Sequence, residues 1–176
     1  MTLLEISVAM PVVLVALGIL VQMLTAGMGI RTGGQQDWAA NSAAQNALER
    51  MRNENFSQIF VLFNSDPFDD PNGPGTAPGS TFDVPGLTAL GAEPVGEIVF
   101  PQVNVGNEIV PVWELREDAV IPELNLPRDL SGDRVIDDQN HAGDYTLLPV
   151  LVRVRWQGLS SPRTLSLQTI LSETRS

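Results

Sequence analysis

The sequence predicts an α+β fold. A long N-terminal α-helix, fit to cross a membrane in its first half and amphipathic in its second, packs on a small antiparallel β-sheet head. Three observations predict it. An uncharged apolar run extends from Ile6 to Ile30, a helical periodicity follows it, and the chain closes on two runs of strict two-residue alternation. These features divide the chain into 1–30, the apolar helix; 31–63, its amphipathic continuation; 64–95, a Pro/Gly-rich surface loop; and 96–176, the sheet head with an Asp-rich loop at 129–144.

The opening, "MTLLEISVAMPVVLVALGILVQMLTAGMGI", is fit for a lipid bilayer. As a helix, Ile6–Ile30 measures roughly 37 Å at about 1.5 Å per residue. That exceeds the ~30 Å hydrocarbon thickness, so the segment spans a membrane with some tilt. Glu5 is the only charged side chain before Arg31, and no Lys or Arg precedes it, although a membrane anchor normally carries basic residues on its cytoplasmic flank. Either the orientation is unusual or a basic leader has been removed ahead of Met1. The second option accounts better for Glu5. Near a new N-terminus its carboxylate faces the positive end of the helix dipole and reaches an α-ammonium. In lipid a carboxylate is costly unless paired. Pairing one subunit's Glu5 with the next subunit's Met1 amine satisfies it and fixes an axial register. Pro11 removes a backbone donor and frees the Ser7 carbonyl, and Gly18 is a second soft point, so a kink or melted stretch is expected there.

The stretch "MTLLEISVAM" resembles the mature N-terminus of type IV pilins and type II secretion pseudopilins: a hydrophobic first residue, a Thr-Leu-hydrophobic-Glu run and a long apolar helix. The resemblance implies that Met1 is the processed and N-methylated residue and Glu5 the register-setting carboxylate. It also implies self-assembly, alone or with other pilins, into a helical filament. Its further partners are the inner membrane before assembly, a prepilin peptidase and an assembly machinery, and its final place is outside the inner membrane. Two departures stand out. Met occupies the first position where the family usually has Phe, and Gln22 stands where the family has a helix-breaking Pro, which here is Pro11.

After Gly33-Gly34 a helix resumes, with Ala44, Leu48, Met51, Ile59 and Leu62 near one face and Glu49, Arg50, Arg52 and Glu54 on the polar side. The expectation is one helix over roughly residues 1–62 with a soft joint near Gly27–Gly34. Asp37 either caps the resumed helix or sits in its first turn, and Trp38 is expected to dock on the head. Asn55-Phe56-Ser57 matches a glycosylation sequon by pattern, inside this predicted helix. "NSDPFDDPNGPGTAPGSTFDVPG" is too rich in Pro, Gly, Asp and Asn for a helix or a central strand. Its Asp66, Asp69 and Asp70 suit turn chemistry better than a cation.

Strand-like runs follow in "GEIVFPQV" and "EIVPVWEL", where Pro101 and Pro111 mark edges or bulges. In "YTLLPVLVRVRWQ" the residues Val150, Val152, Val154 and Trp156 alternate with Leu151, Arg153 and Arg155. "GLSSP" is the turn, and "RTLSLQTIL" returns with Leu165, Leu167 and Thr169 on one face. This ending is also similar to the closing hairpin of some minor pilins and pseudopilins.

"DLSGDRVIDDQN", residues 129–140, carries oxygen ligands at calcium-loop spacing. Asp129, Ser131, Asp133 and Asp137 fall at positions 1, 3, 5 and 9, Val135 offers a carbonyl at 7, and Asn140 stands at 12. The usual sixth-position Gly is Arg134, the twelfth-position Glu is missing, and Asp138 and Asp144 are candidates to compensate. The competing reading is an acidic, solvated loop with Arg134 as its counter-ion. His141, in a polar stretch, is expected to be solvated.

The formal net charge of -11, from 21 acidic residues against 10 Arg and no Lys, disfavours nucleic acid as a partner. With no Cys, disulfides and thiolate metal sites are excluded, and the single His141 excludes a cluster of histidines. No phosphate loop, catalytic triad or zinc signature is present, so nothing points to an enzyme. The reading that competes with a filament subunit is a monomeric, single-pass anchored extracytoplasmic module that binds calcium.

Overall fold

A computed structural model of the chain describes residues 3–106 and 111–173, with side chains from Ala9 onward. Met1, the Glu5 side chain and residues 108–110 of the predicted "EIVPVWEL" strand lie outside this description. The chain forms two packed units, residues 1–38 and 39–176.

The first helix, α1, is Leu3–Asn53. It runs without interruption through Pro11, Gly18 and the expected joint at Gly27–Gly34. Each glycine costs a helix only about 1 kcal/mol, and the surrounding Leu, Met, Ala and Gln residues are good helix formers. Asp37 accordingly lies within the helix rather than at a new N-cap. In the first unit the side chains of residues 9–28 are all exposed, the large apolar ones from Met10 to Ile30 by 50 to 78%. Trp38, the last residue of this unit, is 73% exposed.

In the second unit the helix turns amphipathic. Ala40, Ala44, Ala47, Leu48 and Met51 are buried in the main core, at the spacing of one helical face. Arg50 and Arg52 in the last turn complement the negative end of the dipole. The helix stops earlier than expected, at Asn53. Glu54 N–H donates to the Met51 carbonyl at 3.2 Å, tightening the final turn. Asn55 then takes an extended conformation and its side chain accepts from Ser57 N–H at 3.3 Å. An asparagine that offers the backbone a local partner competes with continued helix. A 3-10 turn at Phe56–Gln58 and a five-residue helix α2, Ile59–Phe63, follow, so Ile59 and Leu62 belong to a separate element. The Asn55 sequon falls in the break, not in a helix.

Among the described residues the head holds six strands: β1 Thr81–Phe82, β2 Gly96–Val99, β3 Gln102–Asn104, β4 Trp113–Leu115, β5 Leu147–Gln157 and β6 Pro162–Ser172. Four form an antiparallel sheet in the order β1-β2-β5-β6, while β3 and β4 pair as a separate ribbon. The break between β2 and β3 falls at Phe100-Pro101, where Pro cannot donate to a ladder.

The closing hairpin has the expected form. Its register runs from Gln157↔Pro162 to Leu147↔Ser172, placing Leu165 and Leu167 opposite Val154 and Val152. Val150, Val152, Val154 and Trp156 are buried, as the alternation requires. On the other face Arg153 meets Glu123 at 2.8 Å and Glu97 at 3.5 Å, and Arg155 meets Glu93 at 3.0 Å and Glu97 at 3.3 Å. The turn needs Gly158: its N–H donates to the Ser161 carbonyl, and a Cβ there would lie 2.7 Å from that same oxygen.

Tyr145 ties the short helical segment to the sheet. Its hydroxyl donates to the Phe56 carbonyl and accepts from Phe60 N–H at 3.4 Å, and its ring packs on Phe56 with centroids 4.9 Å apart. Phe60 in turn meets Phe100 edge-on at 5.6 Å. Phe60→Ala is expected to lower unfolding free energy by about 3–5 kcal/mol, whereas Trp38→Ala stays within about 0.5 kcal/mol. Denaturant unfolding of the full chain in detergent, followed by circular dichroism, checks both; equal losses would show that Trp38 contributes as a core residue does.

Candidate functional site

Two regions carry chemistry: the apolar surface of residues 9–30 and the loop region 116–146. Among the described residues α1 is long and apolar enough to cross a membrane, with a mean hydropathy of 2.2 over an 18-residue window. Signal sequences share that property. Each large apolar side chain gains about 1.5–3 kcal/mol on leaving water, and none of those between Met10 and Met28 is covered within the chain. Pro11 and Gly18 lie within this exposed helix.

The predicted calcium loop spends its oxygens on its own backbone. Asp129 Oδ1 accepts from Gly132 N–H at 2.6 Å and Oδ2 from Arg134 N–H at 2.8 Å. Asp133 Oδ1 accepts from Val135 N–H at 2.7 Å, and Ser131 Oγ from Asp133 N–H at 3.4 Å. Asn140 Oδ1 accepts from Leu115 N–H at 3.2 Å and Ala142 N–H at 3.0 Å. Apart from the bond from Leu115, which ties Asn140 to β4, these are turn-forming bonds, each side chain folding the chain just beyond itself. Arg134 adopts the left-handed conformation (φ 72°) that the sixth position of such a loop gives to glycine. Val135 and Asp138 are exposed. The upstream Pro/Gly/Asp loop behaves alike: Asp66 Oδ1 accepts from Phe68 N–H at 2.9 Å and Asp70 Oδ2 from Ala77 N–H at 3.1 Å, while Asp69 accepts from the Asn64 amide at 2.7 Å.

The residues that do converge are a different set. Glu117, Asp137 and His141 each offer a ligand atom within 4.8 Å of the others. His141 is buried rather than solvated. Its Nε2 lies 3.1 Å from Asp137 Oδ1 and 3.7 Å from Glu117 Oε1, and its Nδ1 lies 3.1 Å from Asp144 Oδ1. The backbone places it there: His141 N–H donates to the Leu115 carbonyl at 2.9 Å, and its own carbonyl accepts from Tyr145 N–H at 3.2 Å. Burial disfavours the charged ring, but the hydrogen bonds to Asp137 and Asp144, with the charge of Glu117, outweigh it and raise the pKa above the ordinary value. The Asp137 carboxyl is held low by the Gln139 amide and then by His141.

Glu117 is fully buried just past β4. Its Oε1 accepts from Leu130 N–H at 2.6 Å and Ser131 N–H at 2.9 Å, so this one carboxylate folds the start of the Asp-rich loop against the ribbon. Beside it Arg116 grips Asp118 with two bonds of 2.8 and 2.7 Å, and Asp138 approaches at 3.9 Å. Sequence reasoning missed Glu117, which sits 20 positions before Asp137 in an unpatterned segment. The spacing of Asp137, His141 and Asp144 was the visible signal: one imidazole with carboxylates four residues before and three after it.

The chain matches no protein family, no curated protein and no solved structure.

Two outcomes follow from the loop geometry. Arg134→Gly relieves a left-handed backbone and is expected to raise stability by about 1 kcal/mol, read as an increase in Tm. The Gly132 and Arg134 amides hold the Asp129 carboxyl below its ordinary pKa, so its contribution is present above the unfolded value of about 3.9 and is lost as pH falls through the lower folded value. The stability advantage of the native chain over Asp129→Asn is therefore full at neutral pH and shrinks below about pH 4. Thermal unfolding across that range measures it.

Proposed function

We propose that the chain is a structural subunit of a type IV pilus-like filament. The observation that carries the reading is the division of one helix into two kinds of surface. Residues 9–28 expose every side chain, whereas 40–51 bury an alanine-lined face in the core of an antiparallel-sheet head. A large uncovered apolar surface marks a membrane or a protein neighbour, and in this reading it meets both in turn. The helix waits in the inner membrane after leader removal by a prepilin peptidase. It then moves sideways into a bundle where neighbouring helices replace lipid, with the assembly machinery adding subunits one by one.

Glu5 guides that addition by pairing with the N-terminal amine of Met1 on a neighbouring subunit. A carboxylate in hydrocarbon costs a few kcal/mol unless paired, so a subunit docked out of register is penalised. The acidic heads form the solvated outer wall. Their charge of -11 over the whole chain argues against direct capture of nucleic acid.

Glu5→Ala tests the reading. Filament yield in the native host is expected to fall by at least tenfold, an effect of about 1.4 kcal/mol or more per addition step. Membrane association and head stability stay unchanged. Intact-mass analysis of the same material is expected to give a chain starting at an N-methylated Met1. Normal filaments from Glu5→Ala, or an unmethylated chain, would favour a monomeric anchored module instead.

A further inference from the structure

We propose that Glu117, Asp137 and His141 form a binding site for a divalent first-row transition cation of the Zn²⁺ class, which staples the end of β4 to the 129–144 loop. The inference is independent of filament assembly, since the site lies wholly within the head.

Geometry supports it first. Zn²⁺ with ligand bonds of about 2.0–2.1 Å in a tetrahedron sets its ligand atoms about 3.3 Å apart. The distances from His141 Nε2 to Asp137 Oδ1 and Glu117 Oε1, 3.1 and 3.7 Å, bracket that value. The ring is also oriented for the task. Asp144 Oδ1 lies 3.1 Å from Nδ1 and can hold a proton there, so that a cation bound between the two carboxylates would displace only the proton on Nε2. A histidine held on its far nitrogen by a carboxylate is the usual support of a metal-bound imidazole. Asp144 is thus a positioning residue.

The independent observation is Glu117 itself. Its carboxylate has no solvent exposure, Oε1 takes both the Leu130 and Ser131 amides, and Oε2 is buried with no hydrogen-bond partner among the described residues. Burying a carboxylate oxygen unpaired is costly. A cation beside the Glu117 carboxylate supplies the countercharge that this buried group lacks, and two carboxylates with a neutral imidazole balance a divalent charge. The ligand set also selects the metal class. Ca²⁺ takes six to eight oxygens, whereas the convergent set offers two carboxylates and an imidazole nitrogen. Imidazole with carboxylates suits Zn²⁺ and its first-row neighbours, with water completing the shell.

The test uses the full chain in detergent, stripped with a chelator and dialysed against Co²⁺ or Zn²⁺ at neutral pH. One equivalent is expected to be retained, with Co²⁺ giving the intense visible bands of a low-coordinate nitrogen–oxygen site, and millimolar Ca²⁺ is not expected to displace it. Asp137→Asn keeps the acceptor for Gln139 N–H, so the loop folds, yet affinity drops by tenfold or more. Asp144→Asn weakens binding by about tenfold through the ring's orientation. Asp129→Asn, a ligand of the alternative calcium loop, leaves affinity unchanged. Thermal unfolding of each metal-free variant separates lost binding from lost fold. No retained metal, displacement by Ca²⁺, or affinity indifferent to Asp137→Asn overturns the proposal and leaves His141 as a protonated bridge between carboxylates.

Discussion

The head depends on the register of β5. This strand is hydrogen-bonded to β2 on one side and β6 on the other, and it contributes Leu148, Val150, Leu151, Val152, Val154 and Trp156 to the core. A slip of one residue would turn Val152 and Val154 outward and bring Arg153 and Arg155 into the interior. Two devices hold the register, one along each edge of the strand. The Gly158–Ser161 turn fixes the offset to β6, and Glu97, paired directly across from Arg153, binds both Arg153 and Arg155. Such ion pairs add little stability singly; their effect is to make the wrong register lack partners.

Legibility in the sequence follows the range of the forces involved. The hairpin could be read because alternation and a Gly-containing turn are local signals, complete within 26 residues of chain. The apolar helix could be read because composition alone determines it. Its extent could not, because Asn55 competes for the backbone only once its side chain reaches Ser57, and because Gly33-Gly34 weakens a helix without ending it.

The loop 116–146 shows the same limit more sharply. Oxygen ligands at calcium-loop spacing were visible, but spacing does not tell which oxygens the backbone will claim. Asp129 and Asp133 turn back on the following amides, and the convergence is supplied by Glu117 from another element. A buried His141 in a polar stretch is likewise a tertiary fact: it is carried under the ribbon by the bond from its N–H to Leu115. The separate β3–β4 ribbon therefore matters more than its size suggests, since it is the anvil on which this loop is shaped.

The order of the elements along the chain has a consequence for biogenesis. β5, an inner strand of the sheet, follows β1, β2 and the core face of α1 along the chain. During synthesis, which adds about 5–20 residues per second, β1 and β2 are therefore made before the strand that β2 pairs with. Between β2 and β5 lie the β3–β4 ribbon and a loop whose Asp side chains bond nearby backbone amides. The four-stranded sheet can close only when the β5–β6 hairpin arrives.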